Sequence, residues 1–464
     1  MALPSTLGEL RGSEYRMRSV REELRDNLVD ALRHGRERFQ GLVGYQETVI
    51  PQIENALLAG QDIVFLGERG QAKSRLIRAM AQLLDEQIPV VRGSEVHDHP
   101  YAPISRFGRD LVSEQGDQTP ITWIGRADRF GEKLATPDTS IADLIGEVDP
   151  IRVAEGRYLA DELTIHYGLL PRVNRGIFAI NELPDLAERI QVGLLNIMEE
   201  RDVQIRGFQV RLPLDVLVVA TANPEDYTNR GRIITPLKDR FGSQIRTHYP
   251  RSPEAEAEII EQERDQFAGL GIPLHVPQYM LELVAEISQL ARRTTQINQR
   301  SGVSVRLSIA NFESLCANAV RRTIALQEAE AVPRLSDLGA LSASTLGKLE
   351  LETWEEGEDQ AVLQKLLRSA TGNIFRRHFS IPEFGPVLAR FEQGLTVEVG
   401  ELVPLARYQQ VADGIPEMKR ILSDLDEPQQ PGSVAAALEL VLEGLHLSKR
   451  LNKTVVDGTS VYGS

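Results

Sequence analysis

A single cysteine, Cys316, occurs in 464 residues. One thiol excludes an internal disulfide and fits a reducing compartment. Its setting, SLCANAV, is an apolar helical pattern, so it reads as a buried small hydrophobe. No apolar run approaches the roughly 18 residues of a membrane span, and none is expected. The opening stretch MALPSTLGELRGSEYRMRS has charges but no apolar segment, so no secretory signal is expected, and a cytoplasmic location is. Positive charge is short: 52 Lys and Arg stand against 67 Asp and Glu, a net charge of −15. That balance argues against general nucleic-acid binding while leaving room for a local basic pore or patch. There is no repeat and no long low-complexity tract. What is present is 42% hydrophobic, ordinary for a globular chain with a full core, over a length that predicts two or three domains.

One stretch organises the rest. Residues 61–80, QDIVFLGERGQAKSRLIRAM, read as strand, tight glycine loop, then helix. Asp62 to Leu66 is a short β-branched run suited to a buried parallel strand. Gly67 and Gly70 let the backbone turn sharply and approach a ligand. Lys73 and Ser74 open a helix with Leu76, Ile77 and Met80 on its apolar side. Backbone N–H groups at such a helix start point at an anion, the lysine reaches outer phosphates, and the hydroxyl can ligate Mg²⁺. The common pattern is G-x-x-x-x-G-K-[ST]; here Ala72 precedes the lysine.

In chain order, 19–34 predicts a helix with a Ser19/Glu22 capping box and a stripe of Leu24, Leu28, Leu32 and Val29. The turn Gly41-Leu42-Val43-Gly44 leads into an amphipathic helix ending at Gly60. Residues 91–140 show little periodicity and predict loops with short elements. In that region His97-Asp98-His99 reads as a solvated turn, with a metal site as the lesser alternative. Two further buried strands are predicted at 176–180 and 216–220, ending in Asn181-Glu182 and Thr221-Ala222-Asn223. Ligands of an open parallel sheet sit at the carboxyl ends of its strands, so Glu182 and Asn223 are expected in the crevice with Lys73. A helix is predicted at 186–200, a hairpin at 203–213, then a short helix and a strand ending at Pro250. From 253 the pattern turns helical. The acidic run 350–359 reads as a surface joint. The last helix, 433–451, carries Leu438, Val441, Leu442 and Leu445 on one face, as core or as a docking surface.

Several of these motifs, in order, resemble AAA+ ATPases of the group containing the magnesium-chelatase motor subunit and the MoxR-type ATPases. GERGQAKS is similar to the MoxR-type cradle, and DLIGEVDP…EGRYLADELTIHYGLLPRVNRGIFAINELPDL resembles the helix-2 insertion and second acidic motif of the chelatase motor. ATANPEDY is similar to a sensor-1 segment, PLKDRFG to an arginine-finger segment and SGVSVRLS to sensor 2. The resemblance covers about 39–345. It implies a P-loop α/β core, a parallel five-stranded sheet between helices, followed by a helical lid and a mixed, mainly helical extension. Within it the domains implied are the core at 39–252, with its insertion at about 148–172, and the lid at 253–345; the helix patterns outside it add a helical lead at 1–38 and the extension at 346–464.

The resemblance also implies roles. Gly67, Glu68, Arg69, Gly70, Gln71, Ala72, Lys73 and Ser74 would hold ATP, with Val43 and Gly44 from the preceding turn. Ser74 would ligate Mg²⁺, and Glu182 would reach that ion through water and polarise the attacking water. Asn223 would orient the water or the γ-phosphate, Arg240 would act in trans as a finger, and Arg306 would read the γ-phosphate. Plainer readings stand beside these: an Arg240–Asp239 ion pair, a solvated Arg306, and Asn223 as a turn starter before Pro224. Arg175 either contacts a neighbour's nucleotide or is structural. Asn181 departs from the usual Asp-Glu pair and leaves Glu182 as the one carboxylate there. The implied function is a ring motor, expected as a hexamer, working with a von Willebrand factor A domain protein to remodel or metallate clients. The narrower alternative is the magnesium-chelatase motor itself, inserting Mg²⁺ into protoporphyrin. The alternative of another class is a nucleotide-gated scaffold with little turnover, which Asn181 favours. A DNA-acting motor or sigma-factor activator is disfavoured, because no GAFTGA loop or helix-turn-helix signature is found.

Overall fold

The apolar runs around the glycine loop form the centre of a parallel sheet in the computed structural model. The structure describes residues 3–149, 162–200, 212–223, 231–265, 267, 269–299, 301–351, 357–456 and 458–464. The chain divides into two units, Met1–His248 and Tyr249–Ser464.

In the first unit, β1 (Ile63–Leu66), β2 (Phe130–Leu134), β3 (Gly176–Asn181), β4 (Val216–Ala222) and β5 (Ser243–Arg246) form one five-stranded sheet. Its order is β2-β3-β4-β1-β5, all parallel, with Leu66 opposite Ala222 and Ile180 opposite Ala220. Side chains alternate between two cores because the strand period is two. Val64, Phe178, Ile180, Val218 and Ala220 face one core; Ile63, Phe65, Ile177, Ala179 and Val219 face the other. Helices α1 (Val20–Arg33), α2 (Ile50–Ala59) and α3 (Lys73–Ala81) cover the second face through Leu24, Leu28, Ile53, Leu57, Leu76 and Ile77. Helix α4 (Glu188–Glu200) covers the first through Ile190, Leu194 and Ile197. The Ser19/Glu22 capping box is made, and α2 ends on Gly60 at φ +68°, a left-handed position that glycine takes at no steric cost. On α1, Ala31 is buried in place of Leu32, which is 39% exposed.

Strand β2 is one of the short elements expected between the loops of 91–140. Its sequence, Phe-Gly-Glu-Lys-Leu, pairs on one side only, as a sheet edge, so it lacks the continuous apolar run of a central strand. The same region holds an antiparallel pair, Gln87–Val91 with Ile121–Gly125, and a helix, Arg106–Gln115. The His97–His99 corner is not a solvated turn. Asp98 is fully buried and accepts from Ser94, Ser105 and the backbone of Ile104; His99 stacks on Tyr15. Burial, with Arg175 nearby, pushes the His99 pKa down to about 3, so the ring stays neutral near pH 7. Strand β5 ends at Arg246, short of Pro250. Of the insertion at 148–172, residues 150–161 lie outside the described residues; its flanks pair as Gly146–Val148 with Ile165–Tyr167. The hairpin at 203–213 also falls there, through residue 211.

A buried pair fixes the start of the edge strand. Arg129, fully buried before β2, donates 2.8 and 2.6 Å bonds to Glu23 of α1, and bonds of 2.9 and 2.6 Å to the Arg175 carbonyl before β3. One guanidinium therefore ties a helix to the first residues of two neighbouring strands.

In the second unit, α5 (Pro253–Glu263), α6 (Gln278–Arg293), α7 (Val305–Leu326), α8 (Glu358–His378) and α9 (Pro431–Leu447) surround a single apolar core that runs from Ala257 to Tyr462. The boundary expected at 346 does not separate two cores. Leu438, Val441, Leu442 and Leu445 are all buried, as are Ala435, Ala436 and Ala437, so that face of α9 is core and not a docking surface. Gly444 permits the contact: a Cβ there would lie 2.1 Å from the Phe375 ring. Cys316 is buried in the same core, and its thiol is pushed up to about 12 by burial.

Candidate functional site

The loop between β1 and α3 is wound by two left-handed residues, Gly70 at φ +75° and Ala72 at φ +53°. The position where the common motif carries glycine thus keeps a glycine-like backbone, at about 1 kcal/mol for the alanine side chain. Gly67 has a packing reason of its own, since a Cβ would fall 1.8 Å from Thr247 Oγ1 and 2.3 Å from Gln71 Oε1. Gln71 Oε1 accepts from Glu68 N at 3.1 Å and from Thr247 Oγ1 at 2.7 Å. Tyr45, directly after the Val43-Gly44 turn, places its hydroxyl 2.8 Å from the Gln71 carbonyl and 2.9 Å from that of His248. Val43 is half-buried and Gly44 is exposed at φ +79°. The turn, the loop and the end of β5 are therefore clamped together. Tyr45 and Thr247 were missed in the sequence, because Tyr45 meets His248 across 203 positions.

Lys73 is buried, with its ammonium on the carbonyls of Gly67 and, at 2.9 Å, Glu68. Ser74 Oγ donates to Asn181 Oδ1 at 3.3 Å. Glu182, immediately after β3, takes φ +56° and donates its N–H to Thr221 Oγ1 at 2.9 Å. A carboxylate residue held in this backbone region is a strained position, of the kind found at functional sites. Asn223 follows β4 and is buried, next to Gly67, whose N–H donates to the Ala222 carbonyl at 3.1 Å. The ends of β1, β3 and β4 so bring Lys73, Ser74, Asn181, Glu182 and Asn223 to the carboxyl ends of neighbouring strands. Beside the loop lies a cavity of about 340 Å³ lined by Gly67, Glu68, Gln71, Lys238, Arg246 and Thr247. Arg246 and Lys238 bring positive charge there that the motifs did not point to.

The remaining arginines divide. Arg240 ends the short helix Thr235–Arg240, is exposed, and pairs with Glu199, not with Asp239. Arg306 stands exposed in the first turn of α7, within the second unit. Arg175 is spent inside the first unit: it is 7% exposed and donates to the Pro89 carbonyl at 2.7 Å and the Tyr15 hydroxyl at 3.1 Å.

No protein-family model matches the chain. Among characterised proteins, the magnesium-chelatase subunit ChlI of Nostoc sp. is 28% identical over 234 residues, covering 49% of this chain and 59% of the relative. The magnesium-chelatase 38 kDa subunit of Cereibacter sphaeroides is 27% identical over 235 residues, covering 48% and 62%. The chain is similar to subunits of magnesium chelatase. The match spans about three-fifths of those relatives' own length. Among solved structures, a chain of the magnesium-chelatase BchI–BchD complex aligns with 72% of this chain and 94% of its own length at 21% identity, with a TM-score of 0.36. A putative ATPase from Cytophaga hutchinsonii aligns at 17% identity with a TM-score of 0.31, covering 78% and 98%. The five-stranded parallel sheet between helices, with the glycine loop after an interior strand, is the α/β core that the motifs led one to expect.

Proposed function

We propose that the chain binds ATP in the 67–74 loop and hydrolyses it as a ring-forming AAA+ motor of the MoxR and magnesium-chelatase type. The supporting observation is the convergence of Lys73 and Ser74 with Asn181, Glu182 and Asn223 at neighbouring strand ends. Phosphoryl transfer to water asks the protein mainly for positioning and charge neutralisation. In this reading the start of α3 and Lys73 hold the phosphates. Ser74 offers a hydroxyl, Asn181 an amide oxygen and Glu182 a carboxylate, hard oxygen donors that fit Mg²⁺. The ion, when bound, supplies positive charge against the β- and γ-phosphate oxygens. Glu182 polarises the attacking water and Asn223 orients it. Arg240, exposed at a helix end, reaches a neighbouring subunit's nucleotide, and Arg306 couples the second unit to nucleotide state.

The ring, expected as a hexamer, acts with a partner carrying a von Willebrand factor A domain and remodels or metallates a client protein. The chelatase motor proper is the narrower form of the same reading. Asn181 favours a second reading, a nucleotide-gated scaffold with little turnover, because an amide brings no charge to the metal side of the cradle.

ATP turnover per chain, measured over a range of protein concentration, tests the ring. Turnover is expected to rise with concentration. Arg240→Ala is expected to lose about 10³-fold while still binding nucleotide. Mixing it with Lys73→Ala chains is expected to recover activity, since each kind supplies what the other lacks. Turnover independent of concentration, with no recovery on mixing, contradicts a finger acting in trans.

A further inference from the structure

Asn181 leaves a question of charge, and the neighbouring strand answers it. Glu132 lies on edge strand β2, where it is paired in register with Ala179 of β3. Its carboxylate accepts from Asn181 Nδ2 at 2.6 Å. A carboxylate can only accept, so this bond turns the amide nitrogen toward Glu132 and leaves the amide oxygen facing Ser74, 3.3 Å away. The other side of Glu132 is held from α3: Arg78 Nε donates to Oε2 at 2.8 Å and a terminal nitrogen reaches Oε1 at 3.2 Å. Arg78 is four residues after Ser74, one helical turn further along the same face. The Arg78 side chain is 65% exposed against 19% for Glu132. The exposed guanidinium is screened by solvent, so this ion pair is weak and offsets the less exposed carboxylate only in part.

We propose that Glu132 is a positioning residue for the metal side of the cradle, orienting the Asn181 amide oxygen toward Ser74 and supplying the carboxylate charge that Asn181 lacks. The inference rests on the nucleotide reading of the 67–74 loop. The usual acidic pair is then split over two strands, with the amide on β3 and the charge on β2. This arrangement has a consequence for the obvious repair. Asn181→Asp alone sets two carboxylates within hydrogen-bonding distance of each other, which disfavours the doubly charged form. The repair therefore needs Glu132→Gln as well: the new amide donates, and the charge moves to position 181.

The test is a titration of a fluorescent ATP analogue into the full chain, across a Mg²⁺ series and in EDTA. Glu132→Gln is expected to keep the EDTA affinity and to raise the Mg²⁺ needed for half-maximal enhancement by about tenfold or more, because its amide oxygen can still accept from Asn181 Nδ2 while the carboxylate charge beside the metal side is lost. Asn181→Asp alone is expected to bring no gain, and the double variant Asn181→Asp/Glu132→Gln to restore the wild-type Mg²⁺ dependence. Arg78→Ala separates this from a purely structural link, because it removes the strand-to-helix ion pair and is expected to leave the Mg²⁺ dependence within about twofold. A Glu132→Gln variant with unchanged Mg²⁺ dependence, or an Asn181→Asp single variant that strengthens it, overturns the proposal while the nucleotide site stands. A wild-type chain that binds no analogue under either condition overturns both.

Discussion

Glu182→Gln is expected to lower ATP turnover by about 10²–10⁴-fold while leaving nucleotide affinity little changed. The substitution keeps the shape of the side chain and its place after β3, where a φ of +56° and the bond to Thr221 set the backbone. What it removes is the carboxylate proposed to polarise water. A glutamine there can still accept a hydrogen bond, but it is far too weak a base to take a proton. The split between kcat and binding is the useful reading: an interaction made mainly in the transition state lowers kcat and spares the ground state. Steady-state kinetics beside equilibrium binding check it. Equal losses in both would mean that Glu182 holds the ground state, and that the polarising group lies elsewhere.

The second large effect is on stability. Glu23→Ala is expected to destabilise the first unit by about 3–5 kcal/mol, because it strands the fully buried Arg129 guanidinium without its carboxylate. The pair carries more than its own energy, since Arg129 also holds the Arg175 carbonyl and so aligns the starts of β2 and β3. Glu132 and Asn181, two and five residues into those strands, depend on that alignment. Denaturant unfolding of the full chain measures the loss. The double variant Glu23→Leu/Arg129→Met is expected to lose less than Glu23→Ala, since apolar replacement of a whole buried pair is often close to neutral. A Glu23→Ala variant within about 1 kcal/mol of wild type would show that water or another acceptor takes the guanidinium.

How much of this could be read in the chain depended on whether a feature was local. Strands β1, β3 and β4 announced themselves because both faces are buried, which forces continuous apolar runs. The lysine and serine of the loop, and the polar residues at the ends of β3 and β4, followed from that topology. Edge strand β2 did not, since pairing on one side tolerates Glu132 and Lys133, and with it went the one carboxylate that meets Asn181. The clamp of Tyr45 on the loop and β5 was also out of reach, as its contacts join residues far apart in sequence. His97–His99 differs from its sequence pattern for a related reason: three polar residues look solvated until the fold buries them against Tyr15 and Ser105. The tail helix went the other way. Its apolar stripe was visible, but only the packing of Ala435–Ala437 and Gly444 shows that the helix is buried as core from Gly432 to Leu442.

The central claim is that the loop from Gly67 to Ser74 is a nucleotide site. Calorimetric titration of ATP with Mg²⁺ into the full chain, beside Lys73→Ala, tests it most directly. The account predicts saturable binding to the wild-type chain and an affinity about 10–100-fold lower in the variant, the cost of losing a charged hydrogen bond to the phosphates. Binding that is absent in the wild type, or that is equally tight without the Lys73 ammonium, would contradict it.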